Sequence, residues 1–133
     1  MENTKCPCGS NRTFSACCQP IIAGHQQAET AETLMRSRYT AFTLARVDYL
    51  MKSHHPTLQP VKEKAAIRQW AQSVQWMGLV ITETNGGQPT DQIGYVTFKA
   101  LYMEQHHLCR IYERSLFERL NGEWVYVSGV QLE

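Results

Sequence analysis

Apolar residues along this chain keep two different periods, and the change between them falls near residue 75. In the first stretch Leu34, Met35, Arg38, Phe42, Ala45 and Tyr49 recur at helical spacing, with Thr30 as N-cap and Glu32 in the first turn. This predicts one amphipathic helix to about Ala45, continuing after a bend near Asp48. His54-His55-Pro56 ends it, because Pro56 turns its predecessor away from the α region. Pro60 suits the first turn of a second helix, whose stripe Ile67, Trp70, Ala71 and Val74 runs to about Gln75.

From Trp76 the period becomes two. Val80-Ile81 leads to Asn85-Gly86-Gly87, a strong turn signal, and a return strand follows from about Gln92 to Glu104. Gln105-His106-His107 turns into a strand over Leu108 to Leu120, and Asn121-Gly122 is a second hairpin turn before Trp124 to Val130. Helices first and hairpins afterwards predict a segregated α+β domain. Periodicity alone does not choose among α+β folds.

Composition adds a size limit and removes some functions. A chain of 133 residues with 43% hydrophobic content can bury one core. No segment approaches the roughly 18 apolar residues of a membrane span. The net charge of +1, spread in both signs, gives no electrostatic case for specific nucleic-acid binding. There is no Gly-rich phosphate loop, nucleophile elbow or pair of catalytic carboxylates.

The first 18 residues carry a different kind of information. Four of the five cysteines lie there: Cys6-Pro7-Cys8-Gly9-Ser10, then the adjacent Cys17-Cys18 after eight residues. Four thiolates supply the closed tetrahedron of soft donors that a structural zinc site takes. Pro7 stiffens the first pair, Gly9 permits a reversal beneath the metal, and Ser10 can donate to the sulfurs. Two disulfides are the alternative. The polar start Met1-Glu2-Asn3-Thr4-Lys5 lacks the apolar stretch of a signal sequence, which favours a reducing cytoplasm and therefore Zn2+.

Cys6-Pro7-Cys8-Gly9-Ser10 with Cys17-Cys18 resembles the SEC-C zinc motif, best known from the tail of the SecA preprotein translocase. The resemblance extends to Thr30-Ala31-Glu32, to Leu34-Met35-Arg36-Ser37-Arg38-Tyr39-Thr40-Ala41-Phe42 and to Asp48-Tyr49-Leu50. With Glu113-Arg114-Ser115-x-Phe117 and Gly122-x-Trp124-x-Tyr126, these segments are similar to the YchJ-like family of bacterial SEC-C proteins. That resemblance implies a zinc knuckle over residues 1–26, with Pro20 to Gly24 as a strap. It implies a nuclear transport factor 2-like (cystatin-like) domain over 27–133, in which a curved antiparallel sheet wraps around helices to form a cone. Two departures are visible. No second SEC-C motif follows Val130, and Tyr112 stands where the family often has His.

Charged residues in apolar company mark the interior of the expected cone. Alternation from Leu108 puts Cys109, Ile111, Glu113, Ser115 and Phe117 on the inward face, with Arg110, Tyr112, Arg114 and Glu118 mostly outward. Arg38 falls inside the helical stripe, and an unpartnered buried charge is costly, so Arg38 and Glu113 are expected to pair. The functional reading makes Arg38 and Glu113, with Tyr39, Tyr49, Tyr102 and Ser115, the polar lining of a ligand pocket. The plainer reading is a structural ion pair fixing helix to sheet.

Other candidates reduce to ordinary roles. His54-His55 and His106-His107 sit at element ends without ligand partners at recognised spacing, and His25 faces a site already closed by four cysteines. Cys109 reads as a small buried hydrophobe, and Trp70, Trp76 and Trp124 as core or pocket wall. Two function classes remain. One is a zinc-stapled module, monomer or dimer, that contacts a protein partner such as a chaperone or the ribosome, as the SecA tail does. The other is a small-molecule binder or enzyme of isomerase, dehydratase or hydrolase type, using the cone near Glu113. The complete zinc site and the lack of an acid–base set favour the first.

Overall fold

Thr30 caps the principal helix as its sequence suggests, with its Oγ1 accepting from the Thr33 amide at 3.1 Å. The structure, a computed structural model, describes residues 4–133; Met1 to Asn3, the first residues of the polar start, lie outside it. This helix, α2 (Ala31–Thr43), follows the short α1 (Cys18–Ile22) and precedes α3 (Val47–Lys52) and α4 (Lys64–Ser73). The bend comes earlier than Asp48. Ala45 adopts φ 55 and stops α2, so the chain reverses over Leu44 to Arg46 before α3 begins.

Two segments differ from their expected form. The strap is partly helical, because α1 carries Pro20 in its first turn and buries Ile21 and Ile22. Pro60 opens a single 3-10 turn, Val61–Glu63, and α4 starts only at Lys64. Burial on α4 is slight, with Ala71 its one buried residue and Ile67 and Trp70 half-buried. Lys64 ties its first turn to Asp48 on α3 at 2.9 Å.

Four strands, β1 (Gln75–Gly86), β2 (Ile93–Glu104), β3 (His107–Leu120) and β4 (Glu123–Gln131), form one antiparallel meander in the order 1-2-3-4. Gln105-His106 and Asn121-Gly122 both have positive φ at their two central residues, the backbone of a tight hairpin. The first connection is longer than Asn85-Gly86-Gly87 suggests. Gly87 lies against α2, where a Cβ would stand 2.7 Å from that of Ala31, and its carbonyl accepts from the Ala31 amide at 2.9 Å. Glycine suits this position both for that close approach and for its φ of 75 in the connection.

Register shifts at Trp76/Gly78, Ile81/Glu83 and Leu116/Phe117 bend the sheet, and its concave face takes α2. The result is the expected α+β arrangement, with helices against one face of a bent antiparallel sheet. Phe117, Val96, Leu34, Leu50 and Trp124 fill its closed part. Cys6, Cys8, Phe14, Cys18 and Ile22 belong to the same apolar cluster. The N-terminal segment therefore packs as part of the core, while its outer residues Lys5, Asn11, Arg12 and Gln19 are exposed.

Candidate metal centre and cone cavity

The four N-terminal cysteines converge. Lys5 and Thr13 form an isolated antiparallel bridge, the Cys6 amide donates to the Arg12 carbonyl at 2.8 Å, and Gly9 reverses the chain at φ 83. A 3-10 turn, Phe14–Ala16, then delivers Cys17 and the first residue of α1, Cys18. All four Sγ atoms lie within 4.8 Å of one another, with Cys8 to Cys17 at 3.7 Å and Cys17 to Cys18 at 3.9 Å. All five cysteines of the chain are free thiols.

These distances fit a metal. Bonds of about 2.3 Å in a tetrahedral zinc–thiolate site put the sulfurs about 3.8 Å apart. The surroundings fit as well. Ser10 Oγ lies 3.2 Å from Cys17 Sγ, and Thr40 Oγ1, on α2, lies 3.6 Å from Cys6 Sγ. Arg36 on the same helix donates to the Cys8 carbonyl at 2.7 Å while pairing with Glu32 at 3.0 Å. Hydrogen bonds from Cys18 and then Cys6 hold the Cys8 thiol well below the usual range, while hydrogen bonds with Cys6 and then Cys8, followed by burial, push Cys18 up. Hydrogen bonding thus favours the thiolate at Cys8 and the thiol at Cys18.

A second concentration of polar groups lies on another side of α2. The open part of the cone is a cavity of about 240 Å³ walled by aromatic and aliphatic side chains, among them Phe42, Trp70, Trp76 and Phe98. Arg38, Tyr39, Glu113 and Ser115 line it together. Tyr49 does not; its hydroxyl hydrogen-bonds Ser37 at 2.6 Å and it borders a separate surface groove. Tyr102 lies outside the lining, packed edge-on to Trp70 and tilted against Trp76. Burial raises the hydroxyl pKa of Tyr39 to about 12 and raises those of Tyr49 and Tyr102 as well.

Arg38 and Glu113 make no direct ion pair. Among the described residues the salt bridges are Arg36–Glu32 and Lys64–Asp48. Tyr126 stands between the two groups instead. The Arg38 guanidinium stacks on its ring at 4.5 Å from the centroid, and its hydroxyl donates to Glu113 Oε2 at 3.1 Å. Glu113 also accepts from Ser115 at 2.5 Å and from Gln131 at 2.7 Å. Its side chain occupies the space a Cβ on Gly129 would need, 2.0 Å from Oε2. Three donors thus meet the needs of this carboxylate without a cation.

Arg38 is only 7% exposed, and burial pulls its pKa down to about 10, still well above neutrality. Its Nη1 donates to the Leu50 carbonyl at 2.9 Å and to Ser53 Oγ at 2.7 Å. No described residue accepts a hydrogen bond from its Nε or Nη2. His54, on the same wall, meets the Tyr126 ring edge-on at 5.0 Å; burial, then the charge of Arg38, brings its pKa down to about 4.

Sequence reasoning missed Tyr126 and the placement of His54. The signal for Tyr126 was present in its alternation with Trp124, but the bulge at Leu116/Phe117 sets which partner it meets. His54 is drawn inward by a parallel bridge to Tyr126. His25, His106 and His107 are exposed. Cys109 is half-buried near the end of the β2–β3 hairpin, with its thiol 3.6 Å from the His107 carbonyl, because the helices do not reach that far. Trp124 is core, donating to the Glu29 carbonyl at 3.1 Å. No helix among the described residues is long and apolar enough to cross a membrane.

Comparison with known proteins places this geometry. Residues 30–129 match the model of the YchJ middle NTF2-like domain, and residues 3–20 match the SEC-C motif. A UPF0225 protein of Geobacter sulfurreducens is 40% identical over 93% of this chain and 77% of its own length. One of Pectobacterium carotovorum is 41% identical over 96% of this chain and 84% of its own. A SEC-C motif-containing protein of Rhodopseudomonas palustris, solved in solution, superposes with a TM-score of 0.86 at 28% identity, covering 96% of this chain and 98% of that one. A second, from Psychrobacter arcticus, reaches 0.83 at 27% identity over 99% of this chain and 85% of its own. This chain belongs to the YchJ-like UPF0225 family, an NTF2-like domain preceded by a SEC-C motif.

Proposed function

We propose that this protein is a zinc-stapled interaction module. The single observation that carries the reading is closure: four cysteine sulfurs at tetrahedral spacing leave no coordination position for water or substrate. A bound Zn2+ supplies cohesion there rather than chemistry. What the knuckle offers to other molecules is its surface, with Lys5, Asn11 and Gln19 exposed on the outside of a turn whose inside is core. A protein partner, of chaperone or ribosomal kind, is the occupant that the SEC-C motif supports.

The test is a pull-down comparing wild type with a Lys5→Glu, Gln19→Glu double variant and with Cys17→Ser. Partners lost from the surface variant while it retains one zinc per chain support the reading. Identical partner lists from all three proteins overturn it.

A second reading, a small-molecule site in the cone, is favoured by one observation of its own. The buried guanidinium of Arg38 lines an open cavity with donors that no described residue accepts. The two readings use different sides of α2 and do not compete.

A further inference from the structure

We propose that the cone cavity binds a compact monocarboxylate with an aromatic or branched apolar body, its carboxylate seated on Arg38. This rests on the second reading above and goes further by naming the ligand's chemistry.

The guanidinium itself selects the head group. Arg38 is charged, only 7% exposed, and in no salt bridge with a carboxylate among the described residues. An ion in that position is costly unless an opposite charge meets it. Its Nη1 is fixed by Leu50 and Ser53 and its plane by Tyr126, so the remaining donors, Nε and Nη2, are held in one orientation. A planar fork with two adjacent donors matches the two oxygens of a carboxylate.

Charge and shape narrow the rest. Glu113 cannot serve as the partner, because Ser115, Tyr126 and Gln131 already hold it against Gly129. The same carboxylate, lining the same cavity, disfavours a dianion such as a phosphate monoester. Arg38 is the cavity's lone permanent cation among the described residues. Trp70, Trp76, Phe42 and Phe98 leave apolar faces for the ligand's body, and a volume of about 240 Å³ keeps that body small.

The experiment uses the full, metal-loaded chain and two matched probes, 3-phenylpropionate and its neutral analogue 3-phenylpropanamide. Trp70 and Trp76 border the cavity whereas Trp124 does not, so tryptophan emission reports binding. Methyl signals of Ala100 and Ile111, which line the cavity, locate it by NMR. The acid is expected to bind at least about tenfold more tightly than the amide, and Arg38→Lys to reduce that ratio to about threefold or less.

An amide that binds as tightly as the acid overturns the carboxylate assignment and leaves the cavity reading standing. If neither probe moves the Ala100 and Ile111 methyls, both fall. An acid that binds without moving them places the site elsewhere and overturns the proposal too. The wild-type comparison stands on its own should Arg38→Lys fold poorly.

Discussion

The cysteine cluster and the cone cavity both lean on α2, yet they are built in opposite ways. At the knuckle each polar atom faces another: four sulfurs converge, Thr40 and Ser10 approach them, and Arg36 reaches across to the Cys8 carbonyl. In the cavity the polar groups are held by the chain but not used up, with Arg38 braced by Leu50, Ser53 and Tyr126 while two of its donors face open space. A closed site contributes to folding, and an open one costs stability that binding can recover. Removing a group from each should therefore give effects of very different size.

The largest effect is expected at the knuckle. Cys8→Ser takes away a buried thiol of the proposed metal site, and structural zinc contributes on the order of 10 kcal/mol in small isolated fingers. Here the loss should appear as an absent metal ion, measured by elemental analysis, and a melting transition lowered by ten degrees or more, about what several kcal/mol produce in a domain of this size. A variant that kept its melting temperature without metal would break the contrast.

Gly129→Ala should come next. The added methyl would overlap Glu113 and eject it from its three hydrogen bonds, at about 1–3 kcal/mol by chemical denaturation. Combined with Glu113→Ala the cost should fall short of the sum, since the clash is then gone. Strict additivity would mean that Gly129 does not make room for that side chain.

Arg38→Met sharpens the comparison by its small size. Losing the cation removes a desolvation cost along with two hydrogen bonds, so stability should change by less than about 1 kcal/mol while selectivity for the acid probe disappears. A loss as large as that of Cys8→Ser would make Arg38 a structural group like the cysteines.

At neutral pH the smallest effect is expected from His54. Its folded pKa, near 4, lies below the 6.5 of an unperturbed histidine, so the unfolded chain takes up a proton first as pH falls. The neutral histidine costs nothing above pH 6.5, and stability should decline between there and pH 4. His54→Phe should flatten that part of the profile of melting temperature against pH. An unchanged slope would assign the acid sensitivity to other groups.

What could be read from the chain follows the range of the interactions. The convergence of the four cysteines is legible because their spacing and a short turn place them. Alternation along β3 correctly turns Glu113 and Ser115 toward the cavity, since period two is a local property of a strand. The direct pairing of Arg38 with Glu113 failed for a long-range reason. Which residue separates them depends on β4's register after a bulge, and that register is fixed by the whole sheet. The turn role of Gly87 is legible, but its second constraint, the Ala31 methyl, lies far back in the chain. Tyr49 and Tyr102 were grouped with the pocket on chemistry alone, and the helix reversal at Ala45 and the width of the sheet carry them away from it.

The hydrogen bond from Trp124 to the Glu29 carbonyl bears on the order in which the ribosome makes the molecule. The four cysteines leave the exit tunnel first, but Thr40 and Arg36, which buttress them, emerge later, and β4, whose Trp124 holds the chain at Glu29 just before α2, emerges last. On the proposed reading a nascent chain can capture a metal ion early. Its knuckle is buttressed only once α2 has followed, so a product truncated before Arg36 should hold the metal on a loose N-terminus.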